Sequence, residues 1–163
     1  MQDKPVIVNN TPLVTLWSIE RLDILQSLFG EIAIPVAVRD EFLATEKEAR
    51  RKFLQTEKWI RVIALKNPKR AQTFVGLDEG ESEVLALAEE LNASLVIIDE
   101  RKARRFAERM ELPLSGTLGI LILAKEEKII SAVLPLLQKI QEAGLHLHEN
   151  LVERVLQLAG EKS

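Results

Sequence analysis

Two periods of apolar residues alternate along this chain. Val6-Ile7-Val8, Ile32-Ala33-Ile34 and Leu95-Val96-Ile97-Ile98 are short, continuous and rich in branched side chains. Runs of that kind read as strands buried on both faces, as in parallel sheets. Between them the spacing turns helical: Leu13, Leu16, Trp17 and Ile19; Val84, Leu85, Leu87, Ala88 and Leu91; Ala103, Phe106, Ala107 and Met110. Regular alternation of strand and helix predicts an α/β fold. We expect a three-layer sandwich with a central, mostly parallel sheet and helices on both faces.

Punctuation residues set the expected boundaries. Thr11 is a good N-cap and Pro12 suits a first helical position, so the first helix is expected to start there. A second helix over 22–29 should end at Gly30. Pro35 stops the second strand; residues 36–43 and 46–58 read as helices, and 59–65 as an edge strand. A polar loop over 66–76 leads to the helix before the Asp99 strand. A short strand and turn over 112–116 precedes a helix capped by Thr117. Residues 129–142 and 149–159 are amphipathic; core packing is preferred for them over a dimer or antitoxin contact. Leu145-His146-Leu147-His148 alternates and could add a short strand.

Length and composition narrow the classes. The 163 residues suit one domain, 1–163, with the helices of 129–160 as an extension. A net charge of −3 gives no overall basic field, so any nucleic-acid contact needs a local patch. With no cysteine, disulfides, thiolate zinc sites and Cys nucleophiles drop out. Met1-Gln2-Asp3-Lys4-Pro5 lacks the regions of a signal peptide, and the apolar stretch 118–124 is far short of a membrane span. A cytoplasmic location without membrane contact is expected.

Asp99 ends a strand, and in open α/β sheets the carboxyl edge is where ligands bind. Asn9 and Glu81 are expected at the same edge, with Glu41 as a fourth member. Oxygen donors without Cys or His suit Mg²⁺ or Mn²⁺, and a cation would relieve the repulsion among crowded acids. Each residue also has an ordinary role open to it. Asp78-x-x-Glu81 fits a capping box, which taken alone is the preferred reading of Glu81. Asp99 serves equally well as cap or ligand. Glu41 reads as solvated, Asn9 as turn chemistry, and Glu83 as a solvated helix residue. Arg101, Lys102, Arg104, Arg105 and Arg109 form a solvated face or a phosphate-binding patch, which Arg50, Arg51, Lys52, Lys69 and Arg70 could extend if the fold brings them near. With few aromatics and no Tyr, base stacking is not the expected mode of nucleic-acid contact. His146 and His148 read as surface positions on the short strand. No nucleophile elbow, phosphate-cradling glycine loop, paired-His motif or dinucleotide fingerprint is present.

Val8-Asn9-Asn10-Thr11-Pro12-Leu13, Glu41 after Ile34-Pro35, Gly80-Glu81-Ser82-Glu83-Val84 through Ala88, and Ile97-Ile98-Asp99 resemble a PIN domain. The likeness runs in order from about Val6 to Leu145. It is closest to a prokaryotic branch with a Gly-Glu-x-Glu helix start and a Gly-Thr-Leu-Gly segment, here residues 116–119. The resemblance implies a metal-dependent endoribonuclease using Mg²⁺ or Mn²⁺ held by three or four acids. It also implies an RNA substrate, with an antitoxin protein and a homodimer as partners of many relatives. Carried over by position, Asn9 stands where the family has its first Asp, and Glu41, Glu81 and Asp99 match the next three acids. Catalysis then falls to Asn9, Glu41, Glu81 and Asp99, metal binding to the three acids, and RNA binding to Arg101, Arg104 and Arg105. Asn9 brings no charge and weakens a divalent site. The alternative is therefore a degenerate domain that binds RNA or a partner protein without catalysis. A nucleotide-binding module ranks last, for want of a phosphate loop.

Overall fold

The computed structural model describes residues 4–162; Met1, Gln2 and Asp3, on which the leader expectation partly rests, lie outside the described residues. Five strands form one sheet: β1 (Val6–Val8), β2 (Ile32–Pro35), β3 (Ile60–Ile63), β4 (Leu95–Ile97) and β5 (Leu114–Ser115). Their order is β3-β2-β1-β4-β5, and every neighbouring pair is parallel. The sheet is thus all-parallel, and helices make it an α/β sandwich of the PIN type. The register sets Val8 opposite Ile97 and Ile34 opposite Val62. Ile7, Val8, Ile34, Val96 and Ile97 are fully buried, as continuous apolar runs require.

The chain builds β1, β2 and β3 outward on one side, then crosses back to place β4 on the other side of β1. The carboxyl ends of β1 and β4 therefore flank the point where the winding direction reverses. That crevice is the favoured ligand position in open sheets.

Nine helices are described among residues 4–162. They are α1 (Asn10–Ser18), α2 (Asp23–Phe29), α3 (Val36–Phe42), α4 (Lys47–Thr56), α5 (Glu79–Leu91), α6 (Arg101–Arg109), α7 (Thr117–Glu126), α8 (Leu134–Glu142) and α9 (Glu149–Leu158). Gly30 ends α2 at φ +76°, a conformation that costs glycine nothing. Residues 68–73 of the expected loop wind into a 3-10 turn, Pro68–Thr73. None of the helices is long and apolar enough to cross a membrane.

Four expectations need correction. α1 starts at Asn10, with Asn9 in the N-cap position, so Thr11 and Pro12 already lie inside the helix. The eighth helix starts at Leu134, not at residue 129. Pro135 lacks the N–H an interior position needs and is confined to the first turn. Residues 145–148 form no strand; the histidines are exposed on an extended connection, their rings edge to face at 5.1 Å. Glu83 is half-buried, and its carboxylate accepts from the amide of Ala37 at 3.1 Å, tying α5 to the free amino end of α3.

The C-terminal helices pack as expected. Val133, Leu137, Ile140 and Val155 belong to the same buried cluster as the strands. Glu161, beyond α9, accepts from the amides of Val133 (2.7 Å) and Leu134 (3.0 Å) and from Lys125 Nζ (3.1 Å). That single carboxylate joins α7, the start of α8 and the end of the chain.

Candidate active site

Asn9 directly follows β1, and its amide donates to the carbonyl of Ile97 at 3.0 Å, so the ends of β1 and β4 are bonded side by side. The residue is 5% exposed, and its side chain makes no capping hydrogen bond to α1. A buried carboxamide in an N-cap position that does not cap remains free to serve a ligand at the strand ends.

Asp99 projects just beyond β4. It does not cap α6, because Glu100 fills that role by accepting from the amide of Ala103 at 2.9 Å. Asp99 instead reaches across to α7. One carboxylate oxygen accepts from the Thr117 amide at 2.7 Å and the other from the Thr117 hydroxyl at 2.6 Å. The expected N-cap position thus moves back one residue, to Gly116. A Cβ on Gly116 would stand 2.7 Å from Asp99 Oδ1, so the carboxylate needs glycine beneath it. Arg104 donates to the carbonyl of Ile98 at 2.8 Å and braces the strand end that carries Asp99.

Glu41 lies on α3, with its carboxylate laid over Gly80 of α5; a Cβ there would overlap it. Asp78, Glu79 and Glu81 surround it. Desolvation first, then repulsion from Asp78, Glu81 and Glu79, raises its pKa above the usual carboxylate value. Glu81 forms the capping box read from the sequence: Glu81 N donates to Asp78 at 2.8 Å, and Asp78 N to Glu81 at 3.1 Å. Its pKa is raised as well, by desolvation, with the hydrogen bond from Asp78 N opposing and Asp78 and Glu100 adding repulsion.

The fold therefore draws Glu41 and Glu81 together on α3 and α5, while Asn9 and Asp99 share the neighbouring strand ends. Among the described residues, no three His, Cys, Asp or Glu side chains stand close enough to hold a metal ion as they are. The cause is visible in the hydrogen bonds: Glu81 is turned back into its capping box, and both oxygens of Asp99 are taken by Thr117. The donor set nevertheless suits a hard divalent cation. It is all oxygen, and its acids are pushed toward the protonated state for want of a compensating charge.

Two basic residues weighed for the patch are engaged elsewhere. Arg50 is 4% exposed, donates to the Phe42 carbonyl at 2.8 Å and to Glu46 at 3.1 Å, and lies 4.7 Å from the Phe42 ring. Arg70 pairs with Glu89 at 2.7 Å. Arg101 and Arg105 remain exposed on α6. Sequence reasoning missed Thr117 as the partner of Asp99; the signal was present, since Gly116-Thr117 opens a helix immediately after the strand next to β4.

A protein-family model, DUF3368, described as a PIN domain, matches residues 5–161. No curated protein matches the chain.

Proposed function

The chain belongs to the PIN-domain family, whose fold is of nuclease type, and we propose from that premise that it is a metal-dependent endoribonuclease acting as one domain over residues 1–163. Glu41, Glu81 and Asp99 hold Mg²⁺ or Mn²⁺, and Asn9 adds a carbonyl oxygen or orients the attacking water. When bound, the ion supplies the charge that polarises the scissile phosphoryl group and acidifies the water. Glu41 and Glu81 provide the negative wall that attracts the cation. Thr117 holds Asp99 at the strand end. Arg101 and Arg105 grip the RNA backbone; Arg104, committed to the Ile98 carbonyl, steadies the site and offers its other donors to a phosphate.

The observation that carries this reading is the uncompensated crowding of Glu41 with Asp78, Glu79 and Glu81 at the carboxyl edge. A protein with no use for a cation there gains nothing by the arrangement. The test is cleavage of a generic single-stranded RNA with Mn²⁺, comparing Asp99→Asn with the parent chain. Loss of most activity in the variant is expected; equal rates discard the reading.

Asn9 favours a second reading, in which the domain binds RNA or a protein through this edge without turnover. Calorimetry separates the two: no heat at millimolar Mn²⁺ favours binding alone. Pairing with an antitoxin, and a homodimer, extend the first reading. A neighbouring reading frame encoding a short DNA-binding protein that copurifies with this chain supports the antitoxin.

A further inference from the structure

One turn away from Glu81, a cleft of about 530 Å³ opens between the Pro68–Thr73 turn with its following loop and the first turn of α5. That volume is in the range of clefts that take small molecules or parts of larger ones. Its walls are mixed in a definite way. Val75, 83% exposed, and half-buried Leu77 offer apolar surface, and Ala71 continues it. Phe74 lies beneath, 5% exposed and edge-on to Phe106 at 5.5 Å. The polar contribution comes from Gln72, Glu79 and Ser82.

Ser82 is the telling residue. It is 6% exposed, and the hydrogen bonds of its helical turn pass it by. Asp78 and Glu81 satisfy each other, and Ser82 N donates to the Asp78 carbonyl, while the hydroxyl takes no partner among the described residues. A buried hydroxyl without a partner costs free energy unless a ligand or water meets it. At the rim, the Lys102 ammonium lies 3.6 Å from where a Cβ on Gly76 would stand, and it forms no ion pair among the described residues.

We propose that this cleft receives one unstacked base of a single-stranded RNA. Val75 and Leu77 cover the face of the base, Ser82 and Gln72 bond its edge, and Lys102 meets the adjoining phosphate. The choice of ligand rests on the ribonuclease reading. Flat apolar surface beside a few convergent polar groups is what a splayed-out base requires. Glu79 repels a phosphate from the interior and accepts from an exocyclic amino group, which adenine, cytosine and guanine carry and uracil lacks.

The test measures binding by fluorescence anisotropy with metal chelated, using labelled pentanucleotides rA5, rC5 and rU5 and an abasic pentamer. Circular dichroism confirms that each variant is folded. We expect rA5 and rC5 to bind at least fivefold tighter than rU5, and the abasic strand weakest. Ser82→Ala and Gln72→Ala shrink the preference to under twofold with the salt dependence unchanged. Lys102→Ala weakens every base-bearing strand about equally and lowers the salt slope by about one. Equal affinity for all four strands, no binding of any, or full preference in Ser82→Ala overturns the proposal. Base-selective binding without cleavage in Mn²⁺ sustains the cleft while sinking the ribonuclease reading, so the two failures are distinguishable.

Discussion

Glu161 and Glu41 are both carboxylates held against a neighbouring element, yet the protein treats their charges in opposite ways. Burial alone would push Glu161 up, but the amides of Val133 and Leu134 and the ammonium of Lys125 hold it below the usual carboxylate range. Glu41 has no cation and no donor, only burial and three acidic neighbours, and its pKa rises. One carboxylate is a finished structural joint. The other is a charge whose counterpart is missing. The contrast locates function where packing logic is violated and structure where it is obeyed.

The largest effect belongs to the finished joint. Glu161→Ala strands two helix-start amides and the Lys125 ammonium. We expect a loss of about 3 kcal/mol, or roughly 6–12 °C in Tm for a chain of this size. Thermal denaturation checks it; a change below 1 °C would show that the carboxylate is ornamental, and the comparison fails at its structural end.

Thr117 comes next, standing between the two kinds of region because its own bonds to Asp99 are complete. Thr117→Val removes the 2.6 Å hydroxyl contact but keeps the amide and the volume. A loss of about 1–2 kcal/mol is expected, together with at least tenfold weaker Mn²⁺ binding by calorimetry. Thr117→Ser restores both. If stability falls and metal affinity does not, Thr117 caps the structure and positions nothing.

These joints differ in how far they could be foreseen. The strands were legible because a run such as Val6-Ile7-Val8 has no polar residue to face water. Asp78-x-x-Glu81 was legible because a capping box is local, written within four residues. The Asp99–Thr117 clasp spans the gap between two strands and depends on β5 lying beside β4, which no local pattern states. Glu161 follows Gly160, outside any periodic stretch, and its partners are at residues 125 and 133–134. Arg50 looked like one charge in a run. Its burial needed the Phe42 carbonyl and two aromatic rings, Trp17 and Phe42, from elsewhere in the chain. The candidate site was legible as a set of positions at one sheet edge, but not as side-chain orientations.

At the unfinished end the sign reverses. Glu41→Gln removes a repelled charge, so stability at pH 7 should rise, by about 0.5 kcal/mol because the residue is largely exposed to water. The raised pKa favours the folded protein below the unfolded value of 4.5, and that advantage is lost as pH rises through the folded value. The gain from Glu41→Gln therefore shrinks toward zero below pH 4.5. Glu161 behaves conversely: its contribution is present above 4.5 and fades as pH falls through its lowered folded value. Melting curves from pH 3.5 to 7.5 should show the two variants' stability differences, opposite in sign at pH 7, both closing in acid. Saturating Mn²⁺ sharpens the contrast: it should raise the Tm of the parent chain and leave that of Glu41→Gln unmoved.

The smallest effect on stability tests the site most closely. Gly80→Ala puts a methyl group where the Glu41 carboxylate now lies. The obstacle is the far end of a flexible, exposed side chain, which can swing into water. Ala is also the better helix former. The two effects oppose each other, and the net change should stay within about 0.5 kcal/mol. Swinging Glu41 away relieves its repulsion with Asp78 and Glu81, but it also breaks up the group of acids that a cation needs. Gly80→Ala should thus fold like the parent and lose the heat of Mn²⁺ binding. Undiminished heat in a variant of parental stability would mean that the placement of Glu41 over Gly80 is only packing, and that the crowded acids await no ion.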